Sequence, residues 1–344
     1  MARTRVTLRD VARRVGVHPS TVSRVLSPAT RTMVSDEVAL KVMKAAEEMG
    51  YRANPFAYSL RTNRSFTVGV MIPDLTNPLF PPIIRGIEKT LGEAGYTAIL
   101  ANSGEDPEQE RILLDTMKAR QVDGLILATA HRADALIKEC LGEGIPLVLL
   151  NRAIEDRGAV SVITDDVAGV GMAVDHVISL GHRHIAHLGG PQDYSTGYMR
   201  HQGFLKGMRV KEQEADPELI RFGTTFSEEE GHRVTAELLD TGRKITAIVT
   251  ANDLMALGCY DALEERGIVC PDRISVTGYN DMPFIDKFKP PLTSVRIPHY
   301  QMGAEAAGLL LRLMQNGSEP VASVTLAPEL IVRGSTAPPP ADDD

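Results

Sequence analysis

Arg24 carries a planar fork of N–H donors, with Pro19, Ser20 and Ser23 close by on the same stretch. A guanidinium pairs bidentately with guanine O6 and N7, and small hydroxyl residues fit between, so this set suits a DNA groove. A second set is scattered through the chain: Asp74, Asn151, Thr196, Arg200, Asn252 and Asp281, with the aromatics Phe80 and Phe226. Carboxylate, amide and guanidinium groups among aromatic rings can bracket a small polyhydroxylated ligand. Each polar group left unpaired by a wrong ligand costs about 1–3 kcal/mol.

The first set needs a rigid carrier. Leu8, Val11, Ala12 and Val15 recur at the spacing of one helix face. Gly16 permits a sharp turn, because it lacks the Cβ that penalises positive φ. Pro19 suits a first helical position, and Val22, Val25 and Leu26 give a second inward face. Two short helices joined by a tight turn form a helix-turn-helix. Ser35 reads as the cap of a third helix, with Val38, Val42, Ala45 and Met49 as its buried stripe and Gly50 at its end. Asn54-Pro55 reads as cap and first residue of a fourth helix running to about Arg61, too short to stand alone in water. Arg3 and Arg5 fit either a phosphate-contacting arm or a solvated terminus.

Charge divides the chain. Residues 1–64 hold twelve Lys+Arg and five Asp+Glu, a balance of +7, while the whole chain is −8, leaving −15 beyond them. A basic head on an acidic body directs nucleic acid to one end.

From Phe66 the pattern alternates strands and helices. Thr67–Ile72, Thr97–Ala101, Gly124–Ala128, Leu147–Leu150 and Ser161–Thr164 read as buried parallel strands, as do His184–Leu188, Leu219–Phe222, Ala247–Thr250 and Ser275–Gly278. The segment Asp123–Pro146 parallels Ala247–Pro271 in its order of elements, which implies two similar α/β lobes. The second set of residues falls at strand ends, where ligands bind in such folds. Phe80 and Phe226 serve equally as core. Asp253 reads as a helix cap.

Thr7-Leu8-Arg9-Asp10-Val11-Ala12, Gly16-Val17 and Ser20-Thr21-Val22-Ser23-Arg24-Val25-Leu26 resemble the N-terminal signature of the lac repressor/galactose repressor family, and the match runs to about Gly334. The resemblance implies a helix-turn-helix head plus a bilobal periplasmic-binding-protein-like body with two doubly wound parallel sheets, an α/β fold overall. It implies an operator-binding transcriptional regulator, most often a repressor, set by a sugar or sugar derivative. DNA contacts fall to Thr7, His18, Pro19, Ser20, Thr21, Ser23 and Arg24 in the head, and to Asn54, Ala57 and Leu60 in a hinge helix whose leucine wedges into the minor groove. Effector contacts fall to Asp74, Phe80, Asn151, Thr196, Arg200, Phe226, Asn252 and Asp281. The expected division is a head at 1–53, a hinge at 54–64, a body at 65–336 and a disordered tail at 337–344. The N-lobe takes 65–164 and 294–323, and the C-lobe 165–292 and 325–336. Crossings fall near Asp165, Leu292–Ser294 and Ser323–Thr325. No heptads follow Gly334, so a homodimer is expected in place of a tetramer.

Two positions depart from the family pattern. His18 stands where a Ser or Thr usually caps the recognition helix, and Ala128 replaces a polar residue of some sugar-binding relatives. Enzyme classes find no support: there is no Walker A, GxGxxG or nucleophile elbow. Cys140, Cys259 and Cys270 show no metal spacing, and His184 and His187 sit at odd spacing on a strand, so neither metal nor cofactor is expected. The absence of a long apolar run or signal segment points to the cytoplasm, without membrane partners.

Overall fold

The computed structural model describes residues 6–26, 28–51, 64–155, 158–315 and 321–341. They fall into two units, Met1–Ser65 and Phe66–Asp344.

The head is helical. α1 (Leu8–Val15) opens on a capping box: the Asp10 amide donates to Thr7 Oγ1, and the Thr7 amide donates to Asp10 Oδ2 at 2.9 Å. It ends at Gly16 with φ 74°. α2 (Pro19–Val25) has seven residues, marginal in isolation. Its stability comes from packing Val22 and Val25 against Val11 and Ala12 of α1 and Ala39, Val42, Ala45 and Ala46 of α3 (Asp36–Glu48). Ser35 occupies the expected cap position of α3, but its side chain makes no cap bond there.

Among the described residues the body holds two six-stranded sheets. Along the chain come β1 (Thr67–Ile72), α4 (Phe80–Glu93), β2 (Thr97–Asn102), α5 (Pro107–Ala119), β3 (Gly124–Leu127), α6 (Ala135–Gly142), β4 (Leu147–Leu150) and β5 (Val160–Thr164). Then follow α7 (Asp166–Ser179), β6 (Ile185–Gly189), α8 (Ser195–Val210), β7 (Ile220–Phe222), α9 (Glu228–Leu239), β8 (Ala247–Thr250), α10 (Asp253–Glu265), β9 (Ser275–Asn280), β10 (Thr293–Arg296), α11 (His299–Gln315), β11 (Val324–Leu326) and β12 (Glu329–Ile331). The first sheet is ordered β11-β5-β4-β3-β1-β2 and is parallel throughout. The second is ordered β12-β10-β9-β8-β6-β7, with β12 alone antiparallel. Strands such as β3 and β4 are buried at every residue, as expected of strands covered on both faces. Helices α4 and α11 approach closely because Gly86 faces the Tyr300 carbonyl and Gly303 faces the Ile83 carbonyl, leaving no room for a Cβ on either.

Sheet membership corrects two expected crossings. β10 belongs wholly to the second sheet, so the chain returns to the first lobe after Arg296, not near Leu292–Ser294. β11 belongs to the first sheet and β12 to the second, so the last crossing lies between Leu326 and Glu329, not near Ser323–Thr325. Backbone pairing decides this: β10 is held by β9 on one side and β12 on the other. The expected disordered tail is also corrected at its start. The Ala337 amide donates to Ser275 Oγ at 3.0 Å, and its carbonyl accepts from His182 Nε2 at 2.8 Å. The Pro339 ring lies against Gly181.

Candidate DNA-reading face and inter-lobe cleft

On the head, α2 turns Val22 and Val25 inward, which leaves Ser20 and Arg24 exposed and Pro19, Thr21 and Ser23 partly so. His18 keeps the capping role despite its departure from Ser or Thr. Its Nδ1 accepts from the Ser20 amide at 3.2 Å and meets Ser20 Oγ at 2.7 Å. That leaves the imidazole edge exposed beside the helix start. The Thr7 hydroxyl is engaged with Asp10 Oδ2 at 2.6 Å, while Thr7 itself remains exposed. Asn54, Ala57 and Leu60 lie outside the described residues.

The body encloses a cavity of about 360 Å³, lined from both lobes by Asp74, Phe80, Asn151, Thr196, Arg200, Phe226 and Asn252, among others. This is the size range of a small-molecule site. The fold explains the convergence. Phe80 opens α4; Asn151 follows β4; Asn252 follows β8 and caps α10; Thr196 and Arg200 lie one turn apart on α8. All lie near the carboxyl ends of strands.

Arg200 anchors the second-lobe wall. Its Nε donates to Asp166 Oδ1 at 3.0 Å, Nη1 to the Ala251 carbonyl at 2.8 Å and Nη2 to Asn280 Oδ1 at 3.3 Å. The guanidinium lies 3.9 Å from the centre of the Tyr279 ring. Burial pushes the Asp166 carboxyl up, and the Arg200 charge opposes this. Asn252 Oδ1 accepts from the Met255 amide, and its Nδ2 donates to the Phe226 carbonyl, which fixes the amide plane. Asp74 accepts from the Thr76 amide and hydroxyl at 2.8 Å, a local turn at the cavity mouth. Asn151, at φ 63°, has a buried Oδ1 that accepts no bond among the described residues.

Beside the cavity, loops from both lobes join. The Arg132 amide donates to the Asp193 carbonyl at 2.8 Å, and Arg132 Nη1 to the Gln192 carbonyl at 2.9 Å. The Arg132 guanidinium covers the Tyr198 ring at 3.7 Å, and the Ala153 amide donates to Ser195 Oγ at 2.9 Å. A change in the lobe angle must break or re-form these bonds.

Asp281 is not in the cavity wall. β9 runs two residues beyond Gly278, so Asn280 takes the strand-end position and lines the cavity instead. Asp281, at φ 53°, pairs with Arg296 Nε at 2.6 Å and Arg333 Nη2 at 2.7 Å. Asp253 is likewise not the cap: Asn252 is, and Asp253 is buried beneath it, accepting from the Met282 amide at 2.8 Å and Ser294 Oγ at 2.5 Å. Sequence reasoning missed Glu105, Arg152 and Ser227 as lining residues. The strand-end rule that found Asn151 reaches Arg152, its neighbour, equally well.

A helix-turn-helix head on a two-lobed body with a ligand-sized inter-lobe cavity defines a ligand-responsive DNA-binding regulator. Residues 7–54 match the model for bacterial regulatory proteins of the lacI family, and residues 174–336 match that of a periplasmic binding protein-like domain. The chain is 32% identical over 334 residues to the HTH-type transcriptional repressor CytR of Escherichia coli (strain K12), covering 97% of each. The Lac repressor dimer bound to operator and the anti-inducer ONPF superposes with TM-score 0.85 at 29% identity, over 97% of this chain and 100% of that one. A complex of the transcriptional regulator CelR with cellobiose gives TM-score 0.74 at 30% identity, over 96% and 100%. The chain belongs to the lacI family of bacterial regulatory proteins, a family of DNA-binding transcriptional repressors.

Proposed function

We propose that this regulator works as a cytoplasmic homodimer whose inter-lobe cavity binds a sugar or sugar derivative and so sets operator affinity, with no catalysis and no cofactor. In this reading residues 1–53 read DNA, residues 54–64 form the hinge and residues 65–336 form the effector-binding body. Ser20, Ser23 and Arg24 reach base edges, with Thr7, His18, Pro19 and Thr21 beside them. Two heads occupy successive major grooves of a near-palindrome, and Leu60 of each hinge enters the minor groove between them. Asp74, Phe80, Asn151, Thr196, Arg200, Phe226 and Asn252 hold the effector. The coupling is the difference in effector affinity between DNA-competent and incompetent lobe angles.

The observation that carries this reading is the gathering of those seven residues, far apart in sequence, around one cavity of about 360 Å³. The Lac repressor and CelR complexes named above, with ONPF and cellobiose, support a carbohydrate-like ligand. The test is a thermal-shift screen of carbohydrates and nucleobases. A ligand at 100 times its Kd adds about 2.7 kcal/mol to stability. Hits are then added to gel shifts on a palindrome pool, whose dependence on salt should be steep. A hit that leaves operator affinity unchanged defeats the proposed coupling.

A further inference from the structure

The two cationic groups on the cavity wall are not equally occupied. Each nitrogen of Arg200 already donates, at 2.8–3.3 Å, to Asp166, Ala251 or Asn280. Arg152 is as deeply set, at 4% exposure. One face of its guanidinium lies 3.6 Å from the centre of the Tyr194 ring. Its Nη1 reaches the Thr129 carbonyl only at 3.5 Å, and its Nη2 reaches Glu105 Oε1 only at 3.4 Å. A charge-assisted N–H···O⁻ bond settles at about 2.7–2.9 Å, so this fork is loosely filled. The Thr129 hydroxyl is turned to Glu110, and the Asp74 carboxylate to Thr76.

Glu105 comes from the loop after β2, where Gly104 and Glu105 both have positive φ, at 65° and 58°. Its side chain is 27% exposed, and it lines the cavity together with Arg152. It is a partly exposed carboxylate resting against a buried guanidinium inside a ligand-sized space.

We propose that Arg152 is the seat for a carboxylate of the effector, and that Glu105 holds that seat while the cleft is empty. The effector class is then a polyhydroxylated monocarboxylate, a sugar acid. This rests on the reading of the cleft as the effector site. The exchange is one carboxylate for another, so the buried charge on Arg152 is never left alone and Glu105 returns to water. A neutral sugar cannot make the exchange: it leaves Glu105 in place and finds a smaller cavity.

The experiment uses the full chain, with D-gluconate, D-glucuronate and D-galacturonate as probes, D-glucose and D-galactose as neutral partners, and glucose 6-phosphate. Binding is read by thermal shift and calorimetry. At least one acid should bind, and its neutral partner should bind roughly tenfold more weakly or worse, as expected for loss of a bond to a charged group. Arg152→Gln should erase that preference. Glu105→Gln, on the half-exposed loop, should tighten acid binding several-fold by removing the internal competitor. Neutral sugars binding as tightly as acids, acids indifferent to both variants, or binding of the phosphate alone each overturn the proposal while leaving the cleft as a sugar site. If no probe of either class binds, the reading of the cleft falls and the proposal falls with it.

Discussion

Arg200 Nε and Asp166 Oδ1 lie 3.0 Å apart, with side-chain exposures of 3% and 7%, and they tie α8 to α7 behind the cavity wall. Removing one partner of a buried pair strands the other charge, at a cost of about 3–5 kcal/mol. Arg200→Met should therefore unfold at clearly lower urea concentration than the parent. Adding Asp166→Asn to it should recover part of the loss. A double variant no more stable than Arg200→Met shows that the charge pair is not what the site depends on.

Asp253 is fully buried, and burial pushes its carboxyl up to about 7, against an ordinary value near 3.8. The protonated form is favoured in the folded state, so folding binds a proton. Its contribution is complete below about pH 4 and is lost as pH rises towards about 7. Urea titrations across that window should show a shallower fall for Asp253→Asn than for the parent. Parallel slopes would remove Asp253 as their source.

Gly86 and Gly92 sit on the same helix, and their surroundings differ. A Cβ on Gly86 collides with the Tyr300 carbonyl, whereas nothing lies within 4 Å of one on Gly92. Gly86→Ala should lose about 1–3 kcal/mol through overpacking. Gly92→Ala should gain about 0.5–1 kcal/mol from helix propensity. Differential scanning calorimetry of the two variants reads both signs.

His18 holds the start of α2 through its ring nitrogen. His18→Ala removes the cap and should cost the head about 0.5–2 kcal/mol, while His18→Ser should retain most of it. Amide exchange in residues 19–26 of the full chain reports the difference; equal protection in all three proteins contradicts the capping role.

Arg24 is exposed at the end of α2. Arg24→Ala should weaken operator binding by about 1–3 kcal/mol and relax selection at one base pair. Operator titration with a substituted site checks both effects, and unchanged affinity removes Arg24 from the reading face.

The head was legible because its signals are local. Helix spacing, Gly16 and Pro19 act within a few residues of where they appear, so α1 and α2 could be read to within a residue or two. The body's two lobes were legible as a repeated pattern. Its crossings were less so, because whether β10 joins one sheet or the other is decided by partners such as β9 and β12, far along the chain. Seven of the eight expected cleft residues line the cavity; the family resemblance pointed to most of them, and the strand ends, visible as the ends of apolar runs, agree with it. Asp281 was misplaced by a single position: β9 continues through Tyr279, which is buried although it carries a hydroxyl, and ends at Asn280, leaving Asp281 beyond the strand at φ 53°. Arg152 was passed over although it follows β4 directly after Asn151; its burial depends on partners distant in sequence, the Tyr194 ring, the Thr129 carbonyl and Glu105.

The order of the edge strands bears on how the molecule is made. β11 completes one sheet and β12 the other, and both come later in the chain than the strands they pair with. During synthesis on the ribosome, β5 and β10 thus wait as open edges until Val324–Ile331 has emerged, and an unpaired edge is a template for sticking to other chains. A stop codon shortly before Val324 would leave two such edges in one molecule, so that truncation should yield aggregates in place of a working regulator.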